Sequence, residues 1–160
     1  MQPSAADGHN PHVPRELEIC CYSVSDAQIA ERSGADRIEL CAGRPEGGTT
    51  ASLGVLRSAI ESLTIPVFPM VRPRGGDFAY DDLEFSAMCD DVRTIAEMGF
   101  RGLVFGISDS SGGVDVGRSA ALLDIARQAN PAIEVTFHRA FDEVSDPIAA
   151  YQQLANLGFS

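Results

Sequence analysis

The chain has 160 residues, enough for one ordinary domain with a real core, and 44% of them are hydrophobic against 22% charged. Twelve basic residues against 23 acidic ones give a formal net charge of −11, which opposes binding to a nucleic-acid backbone or an anionic membrane surface. No stretch is apolar for long enough to suggest a membrane span.

Residues 1–15, MQPSAADGHNPHVPR, are polar and lack the apolar stretch of a secretory signal. They read as a flexible tail, which leaves residues 16–160 as the folded domain. The cysteines Cys20, Cys21, Cys41 and Cys89, in a chain without such a signal, point to reduced thiols in the cytoplasm. Beyond the tail, short β-type runs alternate with longer helical ones. Leu17 to Cys21 reads as a strand, Ser25-Asp26 opens a helix that ends near Gly34, and Arg37 to Cys41 is a strand again. A helix follows over Ser52 to Ser62, a strand over Pro66 to Val71, and a long helix over Asp81 to Met98. Gly102 to Phe105 is a strand, Val116 to Ala129 a helix, and Ile133 to Phe137 a strand. Asp146 before Pro147 is a cap and first-turn pair that starts the last helix.

Strict βα alternation predicts parallel strands joined by crossover helices, as in a TIM-type barrel or an open doubly wound sheet. A weak repeat favours the barrel: SGADRI and MGFRGL each end a helix and start a strand, and LGFS at residues 157–160 opens the same way. In each copy a glycine supplies the left-handed turn that ends a helix. Five strand–helix units are therefore expected, as part of a (β/α)8 barrel that usually needs about 250 residues. The chain reads as a truncated piece of such a barrel, with exposed strand edges.

The unusual residues collect where the strands end, which is where parallel α/β folds carry their chemistry. Two strands share a Glu-x-Cys pattern, Glu18-Ile19-Cys20 and Glu39-Leu40-Cys41. Strand alternation puts Glu18 with Cys20 on one face and Glu39 with Cys41 on one face. The apolar alternates belong against the helices, so the Glu and Cys side chains are expected to point inward. The same parity groups Met70 with Arg72 and Thr136 with His138. Cys20 and Cys41, on neighbouring strands but staggered in height, are expected within reach of one ion, and soft sulfur donors favour Cu(I) or Zn(II). Met70 or His138 can add a third ligand; two buried, unligated cysteines are the alternative. A second constellation, Glu18, Glu39, Arg72, His138 and Asp142, resembles acid–base equipment with an anion-binding arginine. Its alternative is a buried network in which Arg72 and Arg139 neutralise Glu18 and Glu39. Gly47-Gly48 and Gly75-Gly76 can cradle a phosphate, although turns explain them equally well. No nucleotide-binding or hydrolase signature is present, and no nucleotide cofactor is expected.

The strings GADRIELCAGRPEGGTTASLGVL, IPVFPMVRPRGGDFAY, GLVFGI and VTFHRAFDEVSDP, in this order, resemble the CutC copper-homeostasis family from about Glu16 to Gly158. That resemblance implies a TIM barrel longer than this chain, a cytoplasmic homo-oligomer, and Cu(I) held by cysteines at the barrel mouth. Carried over, the ligands are Cys20 and Cys41, with Met70 as an auxiliary. Cys21 faces outward and Cys89 lies in a helix, so neither is carried over. Glu18, Glu39, Arg72, Arg74, His138, Arg139 and Asp142 match an enzyme-type pocket of unassigned reaction. Three readings stay open. The first is a Cu(I)-binding protein. The second is a TIM-barrel enzyme on a small anionic substrate, with Arg72 and Arg74 as anion ligands and Glu39 or His138 as the acid–base group. The third is a nonfunctional fragment.

Overall fold

The computed structural model describes residues 15–160. The tail expected over residues 1–15 lies, apart from Arg15, outside the described residues. Five strands alternate with five helices: β1 Glu18–Cys21, α1 Val24–Arg32, β2 Arg37–Leu40, α2 Leu53–Ser62, β3 Val67–Pro69, α3 Asp82–Glu97, β4 Gly102–Phe105, α4 Val116–Ala129, β5 Glu134–Phe137 and α5 Pro147–Leu157. Two short 3-10 turns, Arg44–Glu46 and Arg139–Glu143, sit in the loops after β2 and β5 and were not expected from the sequence. Every α-helix begins at a side-chain cap: Ser23, Ser52, Asp81, Asp115 and Asp146 each accept a backbone N–H of the first turn. At Asp81 the cap is reciprocal, since the Glu84 side chain accepts the Asp81 N–H. The observed helices start one residue after such caps, which is why the Ser52 and Asp81 starts read from the sequence shift by one.

β1, β2 and β3 pair in parallel, as do β4 and β5. Met70 bridges Val104 in parallel, and the Val71 N–H donates to the Val104 carbonyl at 2.7 Å. The strands therefore stand side by side in chain order, which excludes a doubly wound reversal. Among the described residues they form an open arc whose free edges are β1 and β5. At Gly34, Gly99 and Gly158 the backbone has φ of +94°, +85° and +84°, the left-handed turn expected from the repeat. The Ser160 N–H already donates to the Val135 carbonyl at 2.9 Å, continuing the parallel pattern beside β5.

The arc has two faces. Cys21, Ile38, Leu40, Val71, Leu103, Phe105 and Val135 pack outward into the main core with the helices. Each fully buried aliphatic or aromatic side chain there stabilises the fold by about 1.5–3 kcal/mol relative to exposure. The inner face carries a smaller cluster of Cys41, Phe68, Met70 and Val104, with Tyr22 packed against it. Two glycines on β4 and just beyond it make room on that face. A Cβ at Gly102 would run into the Phe68 ring, and one at Gly106 would lie 2.5 Å from His138 Nδ1.

Candidate metal centre and the strand ends

β1 and β2 are offset so that Glu18 stands opposite Arg37 and Cys20 opposite Glu39. The two Glu-x-Cys strands are thus shifted by two residues from a match of glutamate to glutamate. This stagger brings three donors together. Cys20 Sγ and Cys41 Sγ are 3.8 Å apart, and Cys41 Sγ is 3.6 Å from Glu39 Oε1. All three ligand atoms lie within 4.8 Å of one another. The set is graded in depth, with Cys20 exposed, Glu39 half-buried and Cys41 buried.

Of the two thiols, Cys20 is the more readily ionised. A hydrogen bond from the Cys41 thiol lowers its pKa, against the opposing pulls of partial burial and of Glu39. The same bond, with burial and Glu39 behind it, pushes the Cys41 thiol up. Burial raises the Glu39 carboxyl as well. An ion that binds here must displace the thiol protons, and its charge would offset the mutual repulsion of the ionised groups. Met70 borders the group: a Cβ at Gly48 would meet Cys41 Sγ at 3.2 Å and Met70 Cε at 3.9 Å. Tyr22 lies on the same side, with the Arg44 guanidinium 5.9 Å from its ring centre. Its inward parity with Cys20, two residues back, was the signal that could have singled it out. Cys21 packs in the outer core and its thiol is raised by burial; Cys89 is half-buried on α3.

The second constellation is not one site. Glu18 accepts from Arg37 Nε, and the Arg37 guanidinium lies 4.3 Å from the Phe68 ring centre. Arg37 is the partner the sequence reading missed; it stands beside Glu18 in strand register. The expected neutralisation of Glu18 and Glu39 by Arg72 and Arg139 is not what forms. Arg72 is 3% exposed and donates to backbone carbonyls: Nη1 to Glu46 and Gly48 at 2.9 Å, Nη2 to Gly76 at 2.6 Å. Arg74 is paired with Glu84 and Asp77 and stacked over Tyr80, which Arg72 also approaches. The two arginines expected to bind an anion thus meet at Tyr80, with Arg74 already held by two carboxylates and Arg72 by backbone carbonyls. Asp142 is exposed on the 3-10 turn after β5 and is not one of the donors gathered at Cys20, Glu39 and Cys41.

His138 is 6% exposed and caps that turn, its Nδ1 accepting the Ala140 N–H at 3.2 Å. With Nδ1 occupied as an acceptor, Nε2 carries the proton, and it has no partner among the described residues. Burial, then the nearby Arg72 charge, hold the imidazole pKa down at about 3. His138 is thus a neutral donor, and it is not part of the Cys20–Glu39–Cys41 group.

The family model described as the CutC family matches residues 15–160. A CutC family protein of Yersinia enterocolitica is 52% identical over 142 residues, which cover 89% of this chain and 54% of that protein. Its counterpart in Klebsiella pneumoniae is 55% identical over 142 residues, covering 89% and 56%. The chain thus spans about half the length of the curated relatives it matches. Among solved structures, the CutC protein of Streptococcus agalactiae, named for copper homeostasis, superposes with a TM-score of 0.83 at 35% identity, covering 91% of this chain and 70% of that one. A phosphoenolpyruvate phosphomutase of Streptomyces platensis gives a TM-score of 0.60 at 16% identity over 91% and 58%, a likeness of fold alone. With its whole described length matched to that family model and its inner-face cysteines and strand-end loops in the matched span, this chain belongs to the CutC family.

Proposed function

We propose that this chain carries the metal-binding part of a copper homeostasis protein, and that Cys20 and Cys41 hold Cu(I) as thiolates with the Glu39 carboxylate beside them. The observation that carries this reading is the 3.8 Å separation of the two Sγ atoms, with a carboxylate oxygen 3.6 Å from one of them. Two sulfurs at that spacing can both bond one ion at a metal–sulfur length of about 2.3 Å. Two soft donors with only one oxygen suit Cu(I) better than a four-ligand Zn(II) site. Met70 is the auxiliary donor. Family membership and the copper-homeostasis name of the Streptococcus agalactiae relative support the choice of ion.

In the whole protein, the five-strand arc is part of an eight-strand (β/α) barrel, with the cysteines near its mouth. The parallel chain-order arc and the TM-score of 0.83 support that extension. A cytoplasmic, homo-oligomeric protein goes with this reading, since free thiols persist where the compartment is reducing. No helix among the described residues is long and apolar enough to cross a membrane.

The test is an anaerobic Cu(I) titration against a competing chelator, on the chain and on its Cys20→Ser/Cys41→Ser variant. We expect one tight equivalent, lost in the variant, and an apparent affinity that rises with pH as thiol protons leave. Equal binding by two folded samples would remove the site.

A further inference from the structure

A different cluster lies at the ends of β3 and β5, against the loop that follows β2. Two guanidinium groups meet there over Gly47: a Cβ on that residue would lie 2.6 Å from Arg139 Nη1 and 3.9 Å from Arg72 Nη1. Neither arginine has a carboxylate within salt-bridge distance among the described residues. The chain has 23 acidic residues for 12 basic ones, so two adjacent cations without an acid between them are unexpected. Arg139 is exposed, whereas Arg72 is 3% exposed and its Nε has no hydrogen-bond partner.

His138 joins them. Its Nε2 donor is buried without a partner, and the Tyr80 hydroxyl stands beside the Arg72 guanidinium. The Phe78 ring links the two buried donors: the Arg72 guanidinium lies 4.5 Å from its centre and the His138 ring 4.9 Å. Phe78 is itself 2% exposed and follows Gly75 and Gly76 in the loop after β3. Unmet buried donors cost about 1–3 kcal/mol each, and an acceptor with several lone pairs relieves more than one of them.

We propose that Arg72, His138 and Arg139 form a binding site for a small oxyanion, a carboxylate or a phosphate, distinct from the cysteine group. Arg139 attracts the anion from solvent. Arg72 Nε and the neutral His138 Nε2–H receive it once the Phe78 ring moves aside. Arg72 is already fixed in place by three carbonyls, so its orientation is set before the anion arrives. Non-specific anion binding is disfavoured by the net charge of −11, which makes a local site easy to distinguish.

The experiment titrates the 160-residue chain with inorganic phosphate and, separately, with succinate at low ionic strength, and follows the His138 ring resonances by NMR. The Arg139→Gln variant changes only an exposed side chain and is expected to fold normally. Arg57→Gln, on the exposed side of α2, removes the same charge elsewhere. We expect a saturable His138 shift, weakened tenfold or more by Arg139→Gln and unchanged by Arg57→Gln. A stronger response to phosphate than to succinate, or the reverse, identifies the kind of oxyanion. A His138 signal that never saturates, or equal weakening by both variants, overturns the proposal. Cu(I) binding plays no part in the readout, so this site and the thiolate site stand or fall separately.

Discussion

Protonating His138 in the folded chain would put a charge in a buried pocket beside Arg72, and that cost sets a pH dependence. Its folded-state pKa is about 3, against about 6.5 in the unfolded chain. The folded state therefore binds fewer protons, so the stability is fully present above pH 6.5 and is lost as pH falls toward 3. The linkage amounts to on the order of 4 kcal/mol by pH 3. Urea unfolding midpoints should fall steeply across that window, and His138→Gln should flatten the slope; an unchanged slope would mean that the imidazole is solvated in the folded chain. Part of this residue-scale behaviour was legible. Inward parity for Cys20, Cys41, Met70, Arg72 and His138 follows from strand alternation alone. Which charge meets which was not legible. Arg72 reaches carbonyls of two loops, and loop paths leave no period in the sequence. Glu18 and Arg37 would have been found only by sliding one Glu-x-Cys strand two residues along the other.

At the scale of elements, β4 shows how one strand shapes its neighbours. It contributes Val104 to the inner cluster, while Gly102 leaves space for the Phe68 ring of β3. Gly102→Ala forces a methyl group into that ring, and overpacking of this kind costs about 1–3 kcal/mol. We expect a lowered Tm for Gly102→Ala, largely restored in the double variant with Phe68→Leu; simple additivity of the two changes would show that the strand shifts bodily instead. The elements themselves could be read from the sequence, because caps, helix-ending glycines and apolar runs are local signals. The 3-10 turns at Arg44–Glu46 and Arg139–Glu143 could not. The first is held from outside by Arg72 through the Glu46 carbonyl, and the second rests on a histidine cap, His138, which is not among the usual cap residues.

At the scale of the whole arc, the two edges left free among the described residues decide what is exposed. β2, β3 and β4 are flanked on both sides, whereas β1 and β5 each have one neighbouring strand. Amide exchange should be slowest in β2 to β4 and faster along β1 and β5. Uniform protection across all five would mean that another surface covers the edges, and sedimentation would then find an assembly. Strict alternation gave parallel strands, and the helix-ending repeat favoured barrel order over a doubly wound one; the stagger that gathers Cys20, Glu39 and Cys41 depends on how the arc tilts, which only the assembled sheet sets. Arg72 has a last consequence at this scale. One of its terminal nitrogens holds the carbonyls of Glu46 and Gly48, the other that of Gly76. The loops after β2 and β3 hang from one side chain, so a displacement of either is inherited by the other. That quarter of the rim keeps one clock, not two.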